Sequence, residues 1–198
     1  MGDDTTVGSP SPSPAVADLA RVFQEARSDR LILRRPEASD AAAMFRIHGD
    51  PETNRYNPAG PAPDLAASEE TLRAWLRQWA EDGFSYWAVR LLGDPEIIGF
   101  GGIRRMTLRD RDILNLYYRF APTAWGHGYA TEVAREAVSH ARAHLPMLPT
   151  VARVRAENVA SIRTAERAGL ARRPDLDTAE HLVYALGWPA MQGEEHRA

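Results

Sequence analysis

The sequence predicts an α+β fold in which helices cover both faces of one mixed β-sheet, an α/β/α layered arrangement. Helical and strand-like segments alternate along most of the chain, without an internal repeat and without a linker that would separate a second domain. The 198 residues and the hydrophobic content of 44% suit one domain with a substantial core. We therefore expect a single domain over residues 28–190, between a disordered or loosely attached tail at 1–27 and a flexible tail at 191–198.

The predicted strands are short runs rich in aliphatic, β-branched and aromatic residues, bounded by glycine, proline or aspartate. In chain order they are residues 30–34, 86–92, 96–106, 113–120, 150–156 and 181–186. The fourth run alternates between two faces. One face holds Leu114, Leu116, Tyr118 and Phe120, and the other holds Ile113, Asn115, Tyr117 and Arg119.

The predicted helices repeat apolar residues at intervals of three and four. Residues 16–26 suit a short helix, and Ser39 is the expected N-cap of a helix that continues to Ile47. Three more helices are marked by residues 72–79, 130–141 and 158–168. The proline-rich residues 49–68 are expected to form a long loop.

Composition excludes several classes of function. A net charge of −3 argues against a nucleic-acid binder, and the lack of cysteine removes disulfides, thiolate metal sites and cysteine nucleophiles. No apolar run reaches the roughly 18 residues that a membrane span requires. The N-terminus lacks the basic-then-apolar layout of a secretion signal. We expect a cytoplasmic protein without a metal, a nucleic-acid partner or a membrane partner, present as a monomer or a homodimer.

The most informative segment is the turn at residues 125–131, between the fourth strand and the following helix. Two glycines one residue apart leave backbone N–H groups unshielded at the positive end of the helix dipole, so the turn can hold a pyrophosphate. A tight turn without a ligand is the alternative. A P-loop would need Gly-Lys-Ser/Thr, and a dinucleotide fingerprint would need a third glycine where Thr131 stands.

Two motifs carry a resemblance to a known family. Residues 125–132 resemble the acetyl-CoA pyrophosphate loop of the GNAT N-acetyltransferases, and are most similar to the RimJ/RimL branch, which acetylates ribosomal-protein N-termini. Residues 158–170 are similar to the Asn-x-x-Ser…Gly-Phe helix of that branch. The resemblance extends over residues 30–188 and implies a GNAT-like, mostly antiparallel sheet of six to seven strands.

The resemblance also implies acetyl-CoA as a co-substrate. The fourth and fifth strands would splay apart, and backbone groups of Tyr118, Arg119 and Phe120 would hold the pantetheine arm. Asn158 would cap its helix and bond the pantetheine, with the cap alone as the alternative. The residues expected to form the pyrophosphate turn are Trp125, Gly126, His127, Gly128, Tyr129, Ala130 and Thr131.

For the chemistry, the resemblance points to Ser161 as the acid that protonates the thiolate, because Ala165 stands where many members carry a tyrosine. A hydroxyl that satisfies the first helical turn is the alternative for Ser161. A backbone N–H of the fourth strand would stabilise the oxyanion. His48 is the candidate base, against a helix-end histidine or proton loss through water.

Asp50, Asn54 and Tyr56 are the candidate acceptor contacts. Between residues 48 and 70, five acidic residues against Arg55 give a formal charge of −4, which would attract a basic peptide N-terminus or a polyamine. An acidic surface loop is the alternative. We expect an acetyl-CoA-dependent N-acetyltransferase acting on a primary amine, such as a protein N-terminus. An antibiotic or polyamine acetyltransferase and a non-catalytic acyl-CoA-binding module are the alternatives.

Overall fold

A computed structural model describes residues 13–189 of the chain. Residues 1–12 of the predicted N-terminal tail, residue 190 and the predicted C-terminal tail at 191–198 lie outside the described residues. One sheet of eight strands has the order β1-β2-β3-β4-β5-β6-β8-β7. The strands are β1 (Glu25–Arg27), β2 (Leu31–Arg34), β3 (Trp87–Leu91), β4 (Ile97–Leu108), β5 (Arg111–Phe120), β6 (Thr150–Val154), β7 (Ala171–Arg172) and β8 (Leu182–Leu186).

The predicted fold class is confirmed. Six neighbouring strand pairs are antiparallel, and the pair β5 and β6 is parallel, so the sheet is mixed and mostly antiparallel. The sheet exceeds the expected six to seven strands because two short strands, of three and two residues, complete it at β1 and β7. Strands this short carry no alternation that a sequence pattern could reveal.

Five helices cover the two faces: α1 (Pro14–Phe23), α2 (Ala41–His48), α3 (Leu65–Asp82), α4 (Tyr129–His144) and α5 (Val159–Arg167). The larger part of the core joins α4 and α5 to the sheet face that carries Leu114, Leu116 and Phe120. A second cluster joins α2 and α3 to the opposite face, where Tyr117 packs against it. The alternation predicted for β5 therefore separates the two layers. Within residues 13–189, no helix has the length and apolarity needed to cross a bilayer.

The expected tail at residues 1–27 is wrong from Ser13 onward. The Ser13 hydroxyl caps α1, and β1 pairs with β2 at the edge of the sheet. Phe23 is fully buried, and its carbonyl accepts a hydrogen bond of 2.7 Å from Trp87 Nε1. This segment is part of the domain because its apolar side chain enters the core.

The predicted N-cap of α2 at Ser39 is also wrong. A short 3-10 turn at Ala38–Asp40 precedes α2, and Asp40 takes the cap position. The Asp40 carboxylate accepts two hydrogen bonds of 2.8 Å from Arg34 and one of 2.8 Å from the Glu37 N–H. Ser39 is exposed and its hydroxyl lies near Glu37 instead. Because the 3-10 turn precedes it, α2 begins one residue later than predicted.

Candidate functional site

The sheet opens between β5 and β6. These strands pair at two positions, where Leu114 lies opposite Thr150 and Asn115 lies opposite Val151. From residue 116 to Phe120, β5 is paired with β4 alone among the described strands. The expected splay of these two strands is therefore confirmed, and it leaves backbone N–H and C=O groups of residues 116–120 without a sheet partner on the β6 side.

The turn at residues 125–131 forms an open corner at the start of α4. Gly126 and Gly128 have φ values of +79° and +81°, which side chains other than glycine rarely adopt. A Cβ atom at Gly126 would meet nothing within 4 Å, and one at Gly128 would lie 3.8 Å from an Arg30 nitrogen. Within the described part of the chain, the backbone N–H groups of residues 126–130 donate no hydrogen bond. Five consecutive N–H groups at the positive end of a 16-residue helix are therefore available to a ligand.

An ion pair between Arg30 and Glu132 holds this corner in place. Arg30 Nε donates to Glu132 at 2.8 Å, and Arg30 Nη1 donates to the His127 carbonyl at 3.0 Å. The Ser28 hydroxyl donates to Glu132 at 2.6 Å. Burial alone would raise the pKa of Glu132, but the hydrogen bonds from Ser28 and Arg30 outweigh it, and the pKa is lowered. The segment before β2 is thus fastened to the first turn of α4.

The side chains of the turn support its shape. Trp125 is 48% exposed, and its Nε1 donates to the Phe120 carbonyl at 2.9 Å. The exposed ring of His127 stacks on Tyr129 with 5.4 Å between centroids. Arg30 lies 4.8 Å from the centroid of the Tyr129 ring. These contacts leave the N–H groups of the corner uncovered.

A second group of polar atoms lies where α5 begins, beside the opening of the sheet. The side-chain oxygen of Asn158 accepts a hydrogen bond of 3.1 Å from the backbone N–H of Ser161, so Asn158 caps α5 as expected. The Tyr118 hydroxyl donates to the Ser161 carbonyl at 2.9 Å. Burial raises the pKa of Tyr118 to about 12, against hydrogen bonds from Ser161 and Thr164. Ser161 is half-buried, and Ala165 is fully buried.

His48 lies on the other face of the sheet, at the end of α2. Its Nε2 is 3.0 Å from the Tyr117 hydroxyl, and its ring meets Trp75 and Phe100 edge-on. Burial, followed by the charge of Arg119, lowers the pKa of His48 to about 3. The imidazole is therefore neutral at physiological pH.

Two of the three predicted acceptor contacts are engaged within the protein. Asp50 accepts from the backbone N–H of Glu52 at 2.7 Å and shapes the turn after α2. Asn54 is buried, its NH2 group donates to the carbonyls of His48 and Asp50 at 2.8 Å, and its carbonyl oxygen accepts from Arg119. Asn54 therefore holds Arg119 in position. Tyr56 is exposed.

Tyr56 lines an open cleft of about 320 Å³ between the loop after α2 and the turn before α5. The lining residues are Arg55, Tyr56, Asn57, Pro58, Arg155 and Glu157. Glu157 of this lining directly precedes Asn158, the N-cap of α5. Among residues 13–189, no group of three or more His, Asp or Glu side chains could hold a metal ion.

The acidic residues of the 48–70 segment do not form a negative wall for this cleft. Asp64 caps α3 by accepting from the Ala67 N–H at 2.8 Å, just as Asp50 caps its own turn. Glu69 and Glu70 pair with Arg73 on the exposed side of α3, at 3.6 and 3.0 Å. The charge argument for a basic peptide or a polyamine is therefore not supported by the structure.

Comparison with known proteins agrees with this geometry. Residues 30–171 match the family described as the acetyltransferase (GNAT) domain. An uncharacterised N-acetyltransferase of Bacillus subtilis, YoaA, is 25% identical over 168 residues, which cover 85% of this chain and 93% of that protein.

Solved structures share the fold. An acetyltransferase from Agrobacterium tumefaciens is 27% identical, with a TM-score of 0.71 over 82% of this chain and 93% of its own. RimL, a ribosomal L7/L12 alpha-N-protein acetyltransferase solved in complex with coenzyme A, is 14% identical, with a TM-score of 0.64 over 80% of this chain and 94% of its own. At that identity the likeness to RimL concerns the fold alone.

Proposed function

The chain belongs to the acetyltransferase (GNAT) family, and we propose that it transfers the acetyl group of acetyl-CoA to a primary amine. The observation that carries this proposal is the open corner ahead of α4. Five unpaired N–H groups at a helix N-terminus match the charge and the hydrogen-bonding needs of a pyrophosphate.

The same chain positions would hold the rest of the co-substrate. The N–H groups of residues 126–130 would bind the pyrophosphate, with Trp125 and Thr131 at the two ends of the turn. Backbone groups of Tyr118, Arg119 and Phe120, which lack a sheet partner on the β6 side, would pair with the pantetheine arm. Asn158 caps α5 at the same opening and would offer its amide to the arm.

Acetyl transfer requires that the amine attack the thioester carbon, that the carbon–sulfur bond break, and that the sulfur receive a proton. A backbone N–H in the opened half of β5 would stabilise the negative charge that develops on the carbonyl oxygen. Ser161 would deliver the proton, because it lies in the first turn of α5, beside that opening. Tyr118 would position Ser161 through the hydrogen bond to its carbonyl.

The amine would reach the reaction centre through the cleft that Tyr56 lines. The neutral imidazole of His48 would take up the amine proton through Tyr117, to which it is hydrogen bonded. A pKa of about 3 makes His48 a weak base, so loss of the proton to water before attack is the competing route. Protein N-termini and small amines are both candidate acceptors.

The proposal is tested with Gly128→Val, because a branched side chain would cover the N–H groups and strain a residue at a φ of +81°. We expect acetyl-CoA to bind roughly 10- to 100-fold more weakly, as measured by calorimetric titration, since charge-assisted hydrogen bonds are lost. Gly93→Val is the matched control, because Gly93 has a φ of +79° with open space around it and lies between β3 and β4.

Equal affinity of both variants and the wild type for acetyl-CoA would refute the proposed cofactor corner. Release of free coenzyme A thiol on addition of amines then tests the reaction. Tight binding of acetyl-CoA without any amine-dependent thiol release would instead identify a non-catalytic acyl-CoA-binding module.

A further inference from the structure

We propose that the amine acceptor also carries a carboxylate or a phosphate group, and that arginines around the cleft beside Tyr56 bind this anion. The inference rests on the proposed acetyl transfer and specifies the chemical class of the acceptor.

The walls of the cleft carry more positive than negative charge. Arg55 and Arg155 line it, against one carboxylate, that of Glu157. Arg55 forms no ion pair with any residue between 13 and 189. Arg155 lies 3.4 Å from Glu180, whose side chain is 59% exposed, so water weakens this pair. A volume of about 320 Å³ suits a small molecule.

Further arginines stand on the sheet face beside the cleft. Strands β4, β5 and β6 each place one arginine on this face. Arg104 of β4 lies opposite Asn115 of β5. The register of β5 with β6 puts Arg119 and Arg153 on the same face of the sheet as Asn115. In the described part of the chain none of the three pairs with a carboxylate. Arg119 is instead held by the neutral amide of Asn54, and the buried Nε of Arg104 has no hydrogen-bond partner.

The positive charges of these arginines act on two buried tyrosines of this face, Tyr86 and Tyr117. Burial raises the pKa of Tyr86, and Arg104 and Arg153 oppose the shift. Burial also raises the pKa of Tyr117 to about 12, with Arg119 as the main opposing charge. No carboxylate contributes to either shift. Arginines without counter-charges beside a cleft are the arrangement that proteins use to bind carboxylate and phosphate groups.

The polarity of the cleft also orients such a ligand. Glu157, the single carboxylate of the lining, immediately precedes Asn158, the N-cap of α5. An acceptor with an ammonium group at one end and an anion at the other would place its nitrogen near Glu157 and its anion near Arg55. A polyamine would have no partner for its second positive charge at the Arg55 end.

The test compares matched amines as acceptors. We would measure kcat/KM from coenzyme A thiol release for γ-aminobutyrate against its amide, for phosphoethanolamine against ethanolamine, and for putrescine. We expect the anionic member of at least one pair to exceed its neutral match by roughly 10- to 100-fold, the range of one charge-assisted hydrogen bond. The two pairs distinguish a carboxylate from a phosphate.

Variants locate the effect within the protein. Arg55→Gln and Arg155→Gln should reduce the ratio of kcat/KM between the anionic and the neutral member of the preferred pair. Arg55→Glu should raise kcat/KM for putrescine relative to the anionic amines. Arg21→Gln removes the same charge from an exposed position on α1, where the side chain is 77% exposed, and should leave the ratio unchanged.

Binding of the same amines to the protein saturated with coenzyme A, measured by calorimetry, separates this inference from the proposed function. Preferential binding of the anionic amines without thiol release would support the anion site and contradict acetyl transfer. Preference for putrescine or for the neutral amines, or no preference in either measurement, overturns the inference even if acetyl transfer is observed.

Discussion

Acidification should destabilise this protein in part through His48, a buried histidine at the end of α2. The imidazole is buried among Trp75, Phe100 and Tyr117, where a positive charge would be poorly solvated and would face Arg119. Its pKa is therefore about 3 in the folded protein, against an ordinary value of 6.5. Below about pH 6.5, His48 binds a proton in the unfolded chain but not in the folded protein. The free energy of unfolding therefore decreases as the pH falls.

The size of the effect follows from proton linkage. Each pH unit between the two pKa values costs about 1.36 kcal/mol, which gives a loss of about 2 kcal/mol between pH 7 and pH 5. Any folded-state pKa below about 4 gives the same figure, because pH 5 then lies above it. The loss keeps growing as the pH falls towards the folded-state pKa of about 3 and levels off only below it.

The assay is urea unfolding of the wild type and of His48→Gln at pH 7 and pH 5. Glutamine keeps a polar group near Tyr117 but cannot titrate, so the variant should lose about 2 kcal/mol less than the wild type on acidification. Other groups, including His181, whose pKa is also lowered by burial, are shared by both proteins and cancel. His144→Gln, at an exposed histidine, should behave as the wild type.

Parallel losses of unfolding free energy in the wild type and in His48→Gln would refute this reasoning. That result would mean that His48 takes up a proton in the folded protein at pH 5. His48 would then have a pKa close to its ordinary value despite its burial.

Three further predictions concern the site and the fold. Ser161→Ala should lower turnover by roughly 10²- to 10⁴-fold with little change in acetyl-CoA affinity, whereas Ser39→Ala should match the wild type; unchanged turnover in the first variant would remove Ser161 from the mechanism. Glu132→Gln should weaken acetyl-CoA binding in a titration because the contacts from Ser28 and Arg30 that hold the turn are lost, and unchanged affinity would show that the turn is rigid without them. Phe23→Ala should lower the free energy of unfolding in urea by about 3–5 kcal/mol, because it leaves a cavity in the core. A loss near zero would show that residues 13–27 do not contribute to the stability of the domain.

Features set by neighbouring residues were predictable from the sequence. The glycines of the turn, the Asn158 cap and the alternation of β5 all depend on residues within a few positions of one another. Local chemistry dictates such features, so the pattern and the structure agree. The layered fold followed from the order of these local elements.

Features that join distant segments were not predictable in this way. The contact of Arg30 with Glu132 spans 102 positions and belongs to no motif. Phe23 is an ordinary helical residue until Trp87, 64 positions away, provides its partner. The acidic 48–70 segment was misleading for the same reason, since formal charge along the chain does not reveal that Asp64 caps a helix and that Glu70 pairs with Arg73.

The alternation of β5 explains how one strand can serve both halves of the proposed reaction. Tyr118 points to the α4 and α5 layer, where its hydroxyl bonds the first turn of α5. Its neighbours Tyr117 and Arg119 point to the α2 and α3 layer, where they contact His48 and Asn54. Because successive residues of a strand face opposite sides, a shift of one position would exchange these contacts and break both networks. The missing β6 pairing at this same stretch exposes the backbone between the two layers. Acetyl-CoA would therefore place its thioester at this stretch from one side of the sheet, and the amine would approach the thioester from the other side.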